Sequence, residues 1–366
     1  MRLTLIGPVY PYRGGIAHFT ARLANHTRQA NHALQLVSFS SQYPRWLYPG
    51  ASDREPGLPP PDLDARYTLS ALNPLSWTAT ADLIQRHSPQ AAIFQWWTPF
   101  WGPAFGATVA LLRRQKIPIT FIIHNVLPHE RKPLDAVLTR QVLSMASRLI
   151  VMSQNEFDRL QALMQFSDVR LTQLPVFDMF PSTHLTAPEA RQALGIPATA
   201  TVLLFFGLVR PYKGLPYAID ALAHLDDNFH LLIAGEFWED PDRYHTQIAR
   251  LNLTSRVTIL NRYISNEEVA VVFKAADVFL APYLRTSQSA AAKTAIARGL
   301  PIVASPAAAQ DLLAMGYHVD VPSSLSGSAL ADVIQAVTHR TTPPTLPMNP
   351  TPGWDALLTH LTDEYA

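Results

Sequence analysis

Short apolar runs alternate with longer amphipathic stretches along the whole chain. In the first half, Leu3–Ile6, Leu34–Phe39, Ala91–Gln95, Ile117–Ile123 and Arg148–Met152 read as strands. Between them, Ile16–Arg28, Leu75–His87, Ala104–Gln115 and Pro133–Ala146 read as helices; Ile16, Phe19 and Leu23 share one face at helical spacing. The alternation then restarts. Thr201–Phe206, Phe229–Ala234, Val257–Leu260, Val278–Ala281, Ile302–Ala304 and His318–Val321 form a second set of expected strands. Their helices are Leu215–Leu225, Arg243–Leu251, Asn266–Ala276, Ser289–Arg298 and Leu325–His339, with a last one at Trp354–Tyr365. Continuous apolar strands separated by helices imply parallel sheets covered on both faces. The fold class expected is α/β, with two Rossmann-like doubly wound domains.

The two sets meet in Leu174–His184, whose two prolines suit a connection, and the boundary is expected near 176–188. The resulting division is 1–180, 181–345 and a returning segment 346–366. Tyr43–Asn73 reads as a long loop rich in Pro, Asp and Gly, and Thr341–Pro352 as an extended crossing stretch. A length of 366 residues agrees with two cores. The apolar share of 48% and charged share of 16% exclude a disordered chain. With 29 Lys+Arg against 28 Asp+Glu, no broad nucleic-acid footprint is expected. The absence of cysteine excludes disulfides and cysteine-ligated zinc. The first residues run straight into a strand without the pattern of a secretory signal, so a cytoplasmic location is expected, with contact at the inner membrane face left open.

Three constellations carry chemistry. Gly14 and Gly15, after the first strand, open a helix whose N–H groups can face an anion, although an ordinary strand–helix turn would look the same. The G-x-G-x-x-G dinucleotide fingerprint is missing there. In Phe205–Gly214, Gly207 lets a ligand approach the backbone, and Arg210 and Lys213 stand at a strand's carboxyl end as a pair suited to a diphosphate. In Ala281–Pro301, Ser287, Gln288 and Ser289 precede a small-residue helix, where they can cap it while its N-terminus meets a phosphate.

At these residues the chain resembles the retaining GT-B glycosyltransferases of family four, the glycosyl transferases group 1. The resemblance runs through Gly14-Gly15, Phe206–Gly214, Leu232-Ile-Ala-Gly-Glu236, Ala275–Tyr283 and Ala297–Ser305. It implies two Rossmann-like domains facing across a cleft and an enzyme moving a hexosyl unit from a nucleotide-diphosphate sugar with retention. The implied acceptor is a glycan, a lipid-linked glycan or a small molecule, within glycan biosynthesis. Lys213 matches the family lysine, and Arg210 stands near the place of an arginine replaced here by Leu208. His124, delivered by the strand Ile117–Ile123, matches a histidine facing the transferred sugar. The implied catalytic set is His124, Arg210 and Lys213. The donor set adds Gly14, Gly15, Gly207, Gly235, Glu236, Tyr263, Thr286, Ser287, Gln288, Ser289, Ala290 and Thr294. Thr286 and Thr294 occupy the positions of the family's E-x7-E glutamates, so this chain falls in a subgroup that lacks them.

On the acceptor side, Trp97, Trp101 and His129 could line a groove; core packing is the competing reading for the tryptophans. Trp46 and Leu47, with Arg45, could touch a membrane surface. The triplets Asp62-Leu-Asp64 and Asp240-Pro-Asp242 lie in proline-bearing loops, and no metal or other cofactor is expected. A non-catalytic nucleotide-sugar-binding subunit and a nucleotide-sugar epimerase remain alternatives.

Overall fold

The computed structural model describes residues 1–44, 50, 52–55, 63–128, 132–285, 288–340 and 353–364. The chain divides into two compact units, one of Met1–Pro175 with Pro352–Ala366, the other Val176–Thr351. The division falls inside the proline-bearing connection, slightly before the expected position 180.

The first unit carries β1 (Arg2–Ile6), α1 (Gly15–Gln29), β2 (Ala33–Ser41), β3 (Ala65–Ser70), α2 (Pro74–His87) and β4 (Ala91–Trp96). It continues with α3 (Gly102–Arg114), β5 (Ile119–Ile123), α4 (Asp135–Leu143), β6 (Arg148–Val151), α5 (Gln154–Leu163) and β7 (Val169–Leu171). The sheet is parallel throughout, in the order β3-β2-β1-β4-β5-β6-β7. Every residue of β4, β5 and β6 is buried, which is why these segments read as apolar runs broken only by Gln95, Thr120 and Arg148. The two unexpected strands are the edges. β3 is half exposed and β7 is only three residues long, so neither shows an apolar run. Part of the expected loop Tyr43–Asn73 is therefore strand, and another part is tied down. Arg13 N donates to Asp53 O at 3.0 Å, and Glu55 N to Pro11 O at 2.7 Å.

The second unit carries α6 (Ala187–Ala193), β8 (Thr201–Phe206), α7 (Leu215–Leu222), β9 (Phe229–Ala234), α8 (Asp242–Arg250) and β10 (Val257–Leu260). Then follow α9 (Asn266–Ala275), β11 (Val278–Ala281), α10 (Ala290–Ala297), β12 (Ile302–Ala304), α11 (Pro306–Ala314) and α12 (Gly327–Thr338). Its parallel sheet runs β10-β9-β8-β11-β12. The expected strand at His318–Val321 is absent: only Asp320 bridges to Val303, because the segment pairs for a single residue at the sheet's edge. Both sheets reverse their winding beside the first strand, between β1 and β4 and between β8 and β11, which makes the carboxyl ends of those strands the natural ligand positions.

The last helix, α13 (Trp354–Thr362), belongs to the first unit. Trp354 is buried, its ring 5.2 Å from that of Phe19. At the other end, the fully buried Arg148 donates to His360 O at 2.7 Å, Asp363 O at 3.2 Å and Glu364 O at 2.7 Å, and pairs with Asp168 at 2.9 Å. A cation among the unpaired carbonyls of a helix C-terminus is favourable both as charge and as donor. The expected crossing stretch Thr341–Pro352 lies outside the described residues.

Candidate active site

In the second unit the site is built by backbone first. Gly207 has φ 100°, a conformation L side chains avoid. Gly235, at φ 147°, lies against it: a Cβ on Gly235 would stand 2.1 Å from the Gly207 carbonyl oxygen. Gly214 opens α7 with φ 68°, and a Cβ there would meet Pro282 O at 2.0 Å. Glycine at these three positions therefore lets the loops after β8, β9 and β11 close onto one another. The loops after β8 and β9 stay paired beyond the strands. Val209 N donates to Glu236 O at 2.9 Å, and Trp238 N to Val209 O at 3.1 Å.

Those loops gather the cations. The Lys213 ammonium would be 3.0 Å from a Cβ on Gly207 and stands 5.6 Å from the Tyr283 ring centre. Burial lowers its pKa to about 8, with a further push from the Arg210 guanidinium, so two positive charges are held close in partial burial. The Arg210 guanidinium lies over the Trp238 ring at 5.1 Å, and the Trp238 indole N–H donates to the buried Glu236 carboxylate at 3.0 Å. Tyr283 is buried and, among the described residues, its hydroxyl has no hydrogen-bond partner of good geometry, although the Ser289 hydroxyl is near enough to act on it. Burial raises its pKa to about 12. Ser289 caps α10 as expected, accepting from Ala292 N at 3.1 Å, with Gln288 before it and Ala290 as the first helical residue. Tyr263 follows β10; its carbonyl accepts from Arg262, whose guanidinium forks onto Glu268.

Thr294 is buried within α10, where its hydroxyl donates to Ala290 O at 3.0 Å. Thr286 and Ser287 lie outside the described residues.

In the first unit, Gly14 precedes α1 at φ 107°, with open space where its Cβ would be and no side-chain cap on the helix; Gly15 is exposed beside it. His124 stands at the carboxyl end of β5, its N–H donating to Trp96 O at 2.8 Å. The ring is buried, edge-on to Phe19 with centres 4.9 Å apart, and Nε2 is 2.6 Å from Gln95 Oε1. With the Gln95 amide oxygen turned to the ring, Nε2 carries the proton and Nδ1 is the ring's acceptor. Burial lowers the His124 pKa to about 3, which keeps the imidazole neutral. Gln95 packs against Gly7, where a Cβ would stand 2.5 Å from its Cγ.

The expected acceptor wall divides. Trp101 is fully buried, stacked on Phe39 with centres 4.1 Å apart and on Phe105 at 5.5 Å; it is core, which corrects its assignment. Trp96 is core as well. Trp97 is partly exposed, and its N–H donates to the Tyr43 hydroxyl at 2.7 Å, with Phe100 alongside Tyr43 at 5.4 Å. His129 and Glu130, and Arg45, Trp46 and Leu47, lie outside the described residues. Trp238, Tyr283 and Gln95 were not singled out in the sequence. Among the described residues no three His, Asp or Glu side chains gather as for a metal ion, and no helix is long and apolar enough to cross a membrane.

Residues 200–338 match the family model for glycosyl transferases group 1, and residues 14–176 that for a glycosyl transferase 4-like domain. A D-inositol 3-phosphate glycosyltransferase of Mycolicibacterium vanbaalenii is 31% identical over 224 residues, covering 56% of this chain and 49% of that protein. The one from Mycobacterium sp. strain KMS is 33% identical over 178 residues, covering 47% and 40%. The chain thus spans about half the length of the curated relatives it matches. Among solved structures, Anabaena Alr3699/HepE in complex with UDP and glucose superposes with a TM-score of 0.70 at 16% identity, over 98% of this chain and 95% of that one. Sucrose-phosphate synthase from Thermosynechococcus elongatus gives 0.68 at 18% identity, over 96% and 90%.

Proposed function

The chain belongs to the glycosyl transferases group 1, with the two Rossmann-like parallel-sheet domains of a GT-B enzyme, and from that premise we propose that it transfers a hexosyl unit from a nucleoside-diphosphate sugar to a hydroxyl acceptor, with retention and without a metal. The observation that carries this is the pair Arg210 and Lys213, held around the positive-φ Gly207 at the winding reversal of the second unit. Two cations held before any ligand arrives suit a group that is charged when bound and more charged when it leaves. The guanidinium grips diphosphate oxygens with directed N–H donors, and the ammonium acts as a point charge.

In this reading the acceptor hydroxyl attacks the anomeric carbon on the face the diphosphate leaves. The C–O bond to the diphosphate breaks, and the hydroxyl proton passes to a departing phosphate oxygen. The protein's work is positioning and charge stabilisation. Neutral His124 accepts at Nδ1 from a hydroxyl of the transferred sugar. UDP is the nucleotide to test first, because the superposed Anabaena protein holds UDP, UDP-glucose and glucose. The acceptor is a glycan, lipid-linked glycan or small molecule, and the location is cytoplasmic, at or near a membrane face.

The missing glutamates favour a second reading, a subunit that binds the donor without turning it over: neither Thr286 nor Thr294 is a carboxylate. One experiment separates them. UDP, GDP, ADP and their hexose conjugates are screened for a rise in melting temperature, since a ligand selective for the folded state stabilises it. The conjugate that binds is then followed for release of free nucleotide. Binding with slow release supports the enzyme, binding with none supports the subunit, and no binding removes both.

A further inference from the structure

Arg210 sits two positions beyond the family's usual arginine, and two residues along an extended backbone return a side chain to the same face but carry it roughly 7 Å further on. Something must hold the displaced cation. β8 and β9 keep one register throughout, pairing Thr201 with Phe229 and Phe206 with Ala234, and the same register continues into the loops where Val209 bridges Phe237. One residue further, that register sets Arg210 beside Trp238. The placement of the guanidinium carbon over the indole, 5.1 Å from the ring centre, is its result. The indole is itself fixed, with its backbone N–H on Val209 O and its ring N–H on the Glu236 carboxylate.

We propose that Trp238 is a positioning residue for donor binding: its indole ring holds the Arg210 guanidinium over it, so that the cation is placed for phosphate oxygens before the nucleotide arrives. A guanidinium is weakly hydrated, and its attraction to an aromatic ring needs no N–H donor. A flexible arginine must lose rotamer freedom on binding, whereas one held over a ring has already lost it. The Glu236 carboxylate is the second part of the device, since without it the indole could rotate and take the cation with it. This rests on the donor reading above.

The test is a double-mutant cycle on Arg210 and Trp238, read as the dissociation constant of UDP, or of GDP or ADP if that is the one the wild type binds. Trp238→Leu removes the ring face while keeping an apolar side chain, and is expected to weaken binding roughly five- to thirtyfold, the range of a partly desolvated cation–π contact. Trp238→Phe keeps a face without the N–H and should fall between. In the Arg210→Ala background, Trp238→Leu should cost little more, because the group it positioned is gone. A general packing role would instead lower affinity equally in both backgrounds. Melting temperatures without nucleotide show that each variant is folded. If Arg210→Ala binds as tightly as the wild type, or if none of the three nucleotides binds, the donor reading falls and the inference with it. If Arg210→Ala loses affinity while Trp238→Leu does not, or if the two losses add in full, only the inference is overturned.

Discussion

The carboxyl ends of β1 and β8 hold equivalent places in two sheets of the same winding, and they carry different chemistry. After β8 the chain places two cations close together, one of them buried enough for its pKa to fall to about 8. After β1 it leaves Gly14 open, and the nearby β5 end supplies a buried histidine held neutral. On the proposed reading, the same topology would serve an anion in one unit and an uncharged group in the other. A shared fold therefore fixes where a ligand sits but not what kind, and the side chains of a few loop positions decide the second matter.

The comparison can be broken most directly by substitution. Lys213→Ala should weaken nucleoside-diphosphate binding roughly ten- to a hundredfold, the range of one charge-assisted hydrogen bond. His124→Ala should do the reverse, lowering turnover by about tenfold or more with near-normal nucleotide affinity, since on the proposed reading it acts on the sugar. Titration calorimetry and initial rates on the same folded samples check both; matching losses in the two variants would erase the distinction.

A smaller effect is expected from pH. The free Lys213 ammonium loses its proton above about pH 8, so nucleotide affinity should fall by up to about tenfold per unit beyond it. Lys213→Ala should flatten that profile. His124, neutral from about pH 3 upward, should add no inflection near neutrality.

Lys293 sharpens the point. It is buried on α10, its ammonium against Met315 sulfur and 5.6 Å from the Tyr317 ring, and burial also lowers its pKa to about 8 despite the nearby Asp311 carboxylate. The unfolded chain holds this proton up to about 10.5, so burying the charge costs stability in full below pH 8. The cost fades as pH rises from 8 to 10.5. Lys293→Met should therefore be more stable than the wild type at pH 7 by on the order of 3 kcal/mol. That advantage should shrink towards pH 10.5, with nucleotide affinity unchanged; denaturant titrations at several pH values measure it. The smallest effect expected is none: turnover should survive EDTA, and loss restored by magnesium or manganese would contradict the metal-free reading.

The sequence made the buried parts of this fold legible and the edges not. β8, β9 and β11 are apolar but for Thr201 and His230, and their bounds are those the apolar runs define. β3 follows a stretch of Pro and Asp and buries only one of its six residues, so neither run nor clean alternation marks it. α11 is built largely of alanine and leucine after Pro306 and shows no polar face to contrast with. In the site, glycines and cations announced themselves by type and place. Trp101 did not, because an aromatic after a strand looks the same whether it lines a wall or fills a core. The Arg210–Trp238 contact joins positions far apart in sequence and becomes visible only when two strands are set in register.

The grip of Arg148 on the end of α13 has a consequence for the order in which the molecule is made. Val176–Thr351 is one unbroken segment and can close its own core as soon as it is synthesised. The first unit cannot. Its strands emerge first, but Trp354, Leu357 and Leu361, and the carbonyls that Arg148 holds, come only after the whole of the second unit. Until then a face of the first sheet's helices stays uncovered and a guanidinium lacks three of its acceptors. The half that is translated first is the half that is completed last, and the interval is set by the time a ribosome needs to write the other.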